Sequence, residues 1–478
     1  MMIEAILIFP LIATLILLFI KSVNFNKLTV LFYAFLHFFV SVMLCIKGNN
    51  INYPDNIFNI YFKADDLNIL FLLVLSVIFL GVSIYNSGYI KRSEMQKNDL
   101  KFYSIALLLF VFSMTGTILS TNLGLSWVFL EATTLASAYL IYFNKTKHSI
   151  EAAWKYVFIC SIGIALAFVG IILLSIATVK LNSLFFNELY LNASKINPFW
   201  LKGSFIFTLI GIGTKMGLAP VHSWLPDAHS EAPCPISALL SATLLNSAFL
   251  IILRVFKLME LTHTDHYARI LLVTMGMLSL FAAAVFVYNI NNYKRMLAYS
   301  SIENMGIIAI GTAIGGIGMY AALLHMVGHS LIKSSFFLTA GNILKIFKTK
   351  KINEVTGILK ADKISGWLWI LCFAGIVGLP PSPLFISEFL LLKALIVKNH
   401  FVIIAIFLIL LTIILYGIGK AVLNMSFGKD TETFKNKMYW SLYVPQLVFI
   451  TISLIIGIYM PVFLNELIKN AASTMGEI

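Results

Sequence analysis

The chain has 478 residues, of which 60% are hydrophobic and 12% charged, with a formal net charge of +13. A soluble domain carries about 25% charged residues, so this composition excludes a row of water-soluble domains. Nucleic-acid binding is excluded as the reason for the positive balance, because the basic residues sit in short loops between apolar runs, where they set membrane topology.

A helix that crosses a bilayer needs about 20 apolar residues. Read in chain order, candidate spans fall at 3–20, 28–46, 67–85, 102–119, 123–143, 154–179, 203–221, 236–256, 269–290, 302–314, 319–344, 367–397, 402–424 and 441–464. That is about fourteen transmembrane helices, an all-α polytopic membrane protein. The first run has no basic region before it and no small-residue cleavage site after it, so it reads as a retained span. The loops after odd-numbered spans hold most Lys and Arg, among them Lys91, Arg92, Lys145, Lys294, Arg295, Lys350, Lys351 and Lys429. This asymmetry predicts those loops in the cytoplasm and both termini outside; the expected location is a prokaryotic plasma membrane. Cys45, Cys160, Cys234 and Cys372 are scattered, with no CxxC. Iron–sulfur clusters and structural zinc need grouped thiolates, so no cofactor is expected in this chain.

Two spans are interrupted, the seventh by Gly217 and Pro220 and the twelfth by Gly378, Pro380, Pro381 and Pro383. Broken backbone at membrane depth is tolerated only inside protein or beside water. The breaks lie five spans apart, and an odd spacing inverts the second unit. Paired broken helices mark an inverted repeat and its ion site. The expected division is 1–100 (spans 1–3), 101–260 (a first repeat, spans 4–8), 261–425 (a second, inverted repeat, spans 9–13) and 426–478 (a last helix). Two unrelated proline kinks would leave the same signature.

A charge at the bilayer centre costs at least ~2.5–3.5 kcal/mol, so ionisable residues within spans are functional candidates. Glu131 lies inside the fifth span and Lys215 inside the seventh, among glycines that let helices approach. A lysine deprived of water holds its proton weakly, and a nearby carboxylate reverses this. Moving the carboxylate would then load and unload the lysine; a permanent ion pair that pins two helices is the alternative. His325, His329 and Lys333 follow at steps of four on the eleventh span, one helix face. Histidines there can pass protons or hold helices together by hydrogen bonds. Glu388, just past the prolines, suits an exit site. Glu303 opens the tenth span and fits a helix N-terminus or a proton role. Lys155 follows Glu151 at a surface spacing, and Lys393 and Lys420 fit snorkelling. The connector from His222 to Pro233 holds His222, Asp227, His229 and Glu231 without Lys or Arg. It reads as an entry vestibule or as a rigid proline loop.

The stretch Lys215-Met-Gly-Leu-Ala-Pro-Val-His-Ser-Trp-Leu-Pro-Asp-Ala-His-Ser-Glu-Ala-Pro233 resembles the signature of the proton-translocating antiporter-like membrane subunits. These serve respiratory complex I, multisubunit cation:proton antiporters and group 4 membrane-bound nickel–iron hydrogenases. Lys294 to Gly306, His325 to Ser335, and Gly378-Leu-Pro-Pro before Phe385-Ile-Ser-Glu-Phe389 are similar too. The resemblance implies that Glu131, Lys215, Lys155 and Glu388 take the family's fifth-, seventh-, sixth- and twelfth-span positions in a proton pathway. Many members carry Lys or His midway along the eighth span; here Asn246 stands there, and His325, His329 and Lys333 are left to carry charge. With Ser300-Ser-Ile-Glu-Asn-Met305, Asn246 is similar to the hydrogenase-4-type component F branch. The implied function is a proton-translocating, non-redox membrane subunit of an oxidoreductase complex. Its implied partners are other membrane subunits and peripheral iron–sulfur, nickel–iron or NADH-oxidising subunits. A sodium/proton antiporter subunit and a non-conducting scaffold are the alternatives.

Overall fold

The computed structural model describes residues 2–20, 22–48, 56–91, 97–179, 181–428 and 438–476. Arg92 and Lys429, two of the topology-setting residues, lie outside this set.

Among the described residues the architecture is a bundle of long helices joined by short turns. We number them α1 (Met2–Phe19), α2 (Val23–Lys47), α3 (Asp66–Lys91), α4 (Lys97–Leu119), α5 (Leu123–Tyr142), α6 (Lys147–Ala177) and α7 (Pro198–Met216). A short connector helix α8 (Leu225–Glu231) leads to α9 (Cys234–Leu261), α10 (Asp265–Val287), α11 (Tyr293–Ile314) and α12 (Ile317–Phe347). The broken pair α13 (Lys363–Ile376) and α14 (Pro383–Val397) follows, then α15 (Phe401–Phe427), α16 (Val444–Ile458) and α17 (Val462–Ser473). Polar residues start many of these helices by accepting a bond from an otherwise orphaned amide. Ser22 accepts from Phe25, Asn122 from Leu125, Thr146 from Ser149, Asn197 from Phe199, Asn292 from Lys294 and Arg295, and Ser382 from Leu384.

Eleven of the described helices are long and apolar enough to cross a membrane, or twelve if α16 and α17, bent by 78°, form one span. The expected fourteen exceeds this. The difference falls on α7, which carries Lys202 and Lys215, and on the twelfth span, which is two short helices rather than one. The fourteenth expected span also does not run on to 464: its helix ends at Ile458 and turns aside at Tyr459–Pro461.

Two of the least apolar spans, α11 and α12 (mean hydropathy 1.2), are buried throughout their central stretches, as is the more apolar α9, whereas α15 reaches 3.1 and is mostly exposed. The side of the bundle that meets lipid is thus apolar and the inside holds the polar groups, since hydrocarbon offers a polar atom no partner.

Both interrupted spans break by the same turn. Gly217 and Gly378 adopt φ of +80° and +68°, which glycine reaches without a Cβ penalty. The next amides, of Leu218 and Leu379, reach back to the carbonyls of Gly213 (2.9 Å) and Ala374 (3.0 Å), a Schellman-type ending.

α7 is held against α6 by small residues. A Cβ on Gly211 would strike the Gly163 carbonyl and the Ala167 amide, and one on Gly163 would lie 2.7 Å from Thr214. Backbones can approach this closely only where glycine stands. Gly211→Val is therefore expected to part α6 from α7 and destabilise the fold by about 1–3 kcal/mol. A thermal melt in detergent that matches the unsubstituted protein would contradict this.

Candidate functional site

Lys215 is fully buried one residue before the end of α7. Its Nζ donates to the Tyr156 hydroxyl at 2.8 Å and stands 4.7 Å from the centre of that ring. The phenol in turn shares a 2.6 Å bond with Ser137 on α5. Trp224 packs on Tyr156 at 4.9 Å while its Nε1 donates to the Thr214 carbonyl at 2.8 Å, so the ring that receives the lysine is itself clamped. Glu131 is half-buried and accepts from Thr134 at 3.0 Å. Residues 131, 134 and 137 follow at steps of three on α5, one face of the helix. Glu131 acts on Lys215 through space, and a phenol and hydroxyls, rather than a direct ion pair, stand in the gap.

A second polar cluster occupies the junction of α9, α11, α12 and α14. His325 is bonded on both ring nitrogens, to Asn304 (2.9 Å) and to Ser387 (2.9 Å). It thereby links the neighbour of Glu303 to the neighbour of Glu388. Lys333 is fully buried, donates to the Leu297 carbonyl at 2.6 Å and has Glu303 as its nearby carboxylate. His329 is fully buried beside the Ser241 backbone, and among the described residues its ring nitrogens close no hydrogen bond of good geometry. Glu388 folds over Gly378, where a Cβ would lie 2.6 Å from its Oε2.

Between the two clusters α9 loosens into a π-helical turn, Leu240–Leu244. Such wide turns often mark functional sites. The Ala242 carbonyl there accepts from both Asn246 (2.7 Å) and Ser330 (3.0 Å), and Asn246 also donates to Ser330 at 2.8 Å. Ser241 bonds Ser301 at 2.8 Å.

The loops after the fifth, seventh, ninth and eleventh expected spans meet at one end of the bundle, around an open cavity of about 440 Å³. Asp227 pairs there with Lys155 (3.3 Å) and Arg295 (3.0 Å), and Glu231 with Lys350 (2.9 Å). Of the four connector residues, Asp227 and Glu231 line this cavity. His229 lies sealed beneath it, stacked on Phe337 at 5.1 Å, and burial with Lys294 and Lys333 nearby pushes it down to about 3. His222 is half-buried beside Tyr299, and burial lowers it below the usual imidazole range. Lys155 is thus at the mouth, paired also with Glu151 at 2.7 Å, rather than beside Lys215. Lys393 and Lys420 are exposed on the bundle's flank.

Several residues of these clusters escape the sequence reading. α11 begins at Tyr293, so Glu303 lies midway along it rather than at its start. Lys294 and Arg295 look like loop charges, but Lys294 is buried and donates to the carbonyls of Ser230 (3.1 Å) and Ala232 (2.5 Å). The Asn292 cap was the available signal. Tyr156, Ser137, Asn304 and Ser387 carry no formal charge, and nothing in their spacing separates them from ordinary packing.

Residues 120–414 match the family model described as NADH:quinone oxidoreductase/Mrp antiporter, TM. Over 96% of its own length and of the relative's, the chain is 35% identical to a hydrogenase-4 component F homolog of Methylacidiphilum infernorum (isolate V4). It is 30% identical to Na(+)/H(+) antiporter subunit A1 of Staphylococcus haemolyticus, with 82% of the chain spanning about half (51%) of that protein. A subunit of the membrane-bound sulfane sulfur reductase, an archaeal respiratory membrane complex, has the same fold, with a TM-score of 0.90 at 23% identity over 99% of this chain and 98% of the other.

The Glu231–Lys350 pair yields a pH signature. Burial raises the Glu231 carboxyl, but the Lys350 bond and charge outweigh it and hold it below 4.5. A depressed carboxylate stabilises the fold above its unfolded value and loses that contribution as pH falls through the folded one. Glu231→Gln should therefore lower the melting temperature near neutral pH, and the difference should vanish in acid. A difference that persists unchanged at pH 3 would contradict this.

Proposed function

Because this chain belongs to the NADH:quinone oxidoreductase/Mrp antiporter family of transmembrane subunits, we propose that its buried Lys215 and its Glu303–Lys333–His325–Glu388 cluster form a proton path. It acts as a proton-translocating membrane subunit of a multisubunit complex. The observation that carries this reading is the pair of fully buried lysines, each hydrogen-bonded to a neutral oxygen and each within electrostatic reach of a carboxylate. A lysine so placed changes its hold on a proton when the carboxylate's own charge or distance changes. A structural ion pair would instead be closed by direct contact.

The residues fall into named roles. Asp227, Glu231 and Lys155 gather protons at the open cavity, and His229 and His329 offer ring nitrogens to ordered water between that cavity and Lys333. Lys215 and Tyr156 hold the proton in the first half. In the second, His325 hands it from the Glu303–Asn304 side to the Ser387–Glu388 side, since a ring bonded on both nitrogens can accept at one and release at the other. The two matched Gly-Leu turns support reading residues 101–260 and 261–425 as inverted repeats of one half-channel.

Glu131 and Glu388 are only half-buried at a depth where a carboxylate facing lipid is costly. Neighbouring membrane subunits covering both flanks resolve this. The hydrogenase-4 relative supports a group 4 nickel–iron hydrogenase or complex I-like assembly, whose peripheral iron–sulfur subunits would supply the energy. The prokaryotic plasma membrane is the expected site, with the open cavity toward the cytoplasm.

In vesicles holding the assembled complex, Lys215→Ala and Glu303→Gln are each expected to abolish proton uptake. Unchanged uptake in either would remove that residue from the path, and uptake that requires sodium would replace proton pumping with sodium/proton antiport. A fluorescent reporter that matures only in the cytoplasm, fused to the C-terminus, should stay dark; a bright fusion would invert the orientation.

A further inference from the structure

An apolar recess lies on a flank of the bundle, against the face of α12 that carries Val327 and Leu331. It has a volume of about 620 Å³ and is walled by α2, α3, α12, α16 and α17. Leu73, Val77, Leu80 and Ile84 form its floor along α3 and are all half-buried. Their spacing of four, three and four keeps them on one helix face. Gly81 between them lets Phe449 of α16 sit down against the backbone, where a Cβ would clash with the ring. The recess is therefore shaped by packing and is more than a gap left by poor fit.

Its surroundings define the occupant. Every wall but α17 is a candidate membrane span or half of one, so the recess opens at the depth of the hydrocarbon. An empty pit lined by apolar side chains forfeits their dispersion contacts, and water gains nothing there. α17 supplies the second constraint. It turns 78° from α16, so that Pro461, Phe463 and Leu464 close one end of the recess. The turn is held by Leu464, which is buried, and by Tyr320 of α12 donating to Asn465 at 2.8 Å. A helix of a partner subunit crossing the bilayer needs a groove about 10 Å wide and open at both ends. A flexible chain entering from the side needs neither.

We propose that this recess holds a phospholipid by one acyl chain, with α17 lying in the interface as its roof. α17 packs its apolar face on α3 and α12 and turns its polar face outward. On α17, Leu464, Leu467, Ile468, Ala471 and Ala472 face inward while Glu466, Lys469 and Asn470 face out.

The test uses the full chain in its native assembly, reconstituted in phosphatidylethanolamine vesicles doped with a phosphatidylcholine that carries a photoactivatable diazirine on one acyl chain. After illumination, peptides are mapped by mass spectrometry. Labelling at Leu73, Val77 and Phe449 should saturate at low probe density. Labelling at Phe281 and Val285, which are exposed on α10, should rise in proportion to the probe. Val77→Trp, which fills the recess, should abolish the first and leave the second. Groove labelling that only tracks probe density, or that survives Val77→Trp in a protein with an unchanged melt, overturns the proposal. So does crosslinking of these residues to another polypeptide. The saturation measurement needs no substitution, so a variant that fails to fold does not shield the idea.

Discussion

Hydrocarbon cannot solvate a polar atom, and the arrangement of this bundle follows from that one fact. A lysine, glutamate or histidine midway along a span must find its partner inside protein, while one near a helix end can reach the interface. α11 and α12, which carry Glu303, His325, His329 and Lys333, take the centre and are buried over their central stretches, while the most apolar span, α15, faces outward. The lipid-facing surface is apolar, and the polar side chains of the spans gather within an interior that is otherwise apolar. The polar interior is then available for chemistry because the lipid-facing shell has already met the cost of insertion.

The same constraint explains how the two buried lysines are satisfied. Direct ion pairs would fix Lys215 and Lys333 in their charged form. Instead Lys215 donates to a phenol and Lys333 to a backbone carbonyl. A neutral acceptor satisfies an ammonium but holds it less firmly than a carboxylate would. Where firm pairing is wanted it is found, at the mouth. Asp227 is gripped by Lys155 and Arg295 and Glu231 by Lys350, and these pairs tie together loops that are far apart in the chain.

The helical class, the two broken spans and the buried identity of Lys215, His325, His329 and Lys333 were legible in the sequence, because hydropathy and charge are strong signals in a membrane. Distances between helices were not. Hydropathy placed the start of α11 too late, since Lys294 and Arg295 look like a loop, and so it hid the central position of Glu303. The ordinal position of Lys155 in the sixth span does not show its depth: it lies near the start of α6 at the cavity mouth. Tyr156, the next residue, turns inward to Lys215: one step along a helix is 100°, and a family position carries over only as well as its register. Ser137, Asn304 and Ser387 are common residues without charge, and only packing shows that they link charged ones.

Asn246 poses the sharpest question for a path of protons, since an amide cannot hold one. Its geometry gives an answer. Asn246 and Ser330 both close on the Ala242 carbonyl, which lies in the π-helical turn before Asn246. The result is a neutral, fully polar joint between the Lys215 half and the Lys333 half. A lysine here would add a third positive charge close to His329 and Lys333, and like charges at low dielectric repel strongly. The second half already carries its charge on α12, four residues beyond His329. In the proposed path Asn246 keeps the joint polar enough for hydrogen bonds to cross while leaving the charge to Lys333, so that the relay would be displaced by one helix rather than lost.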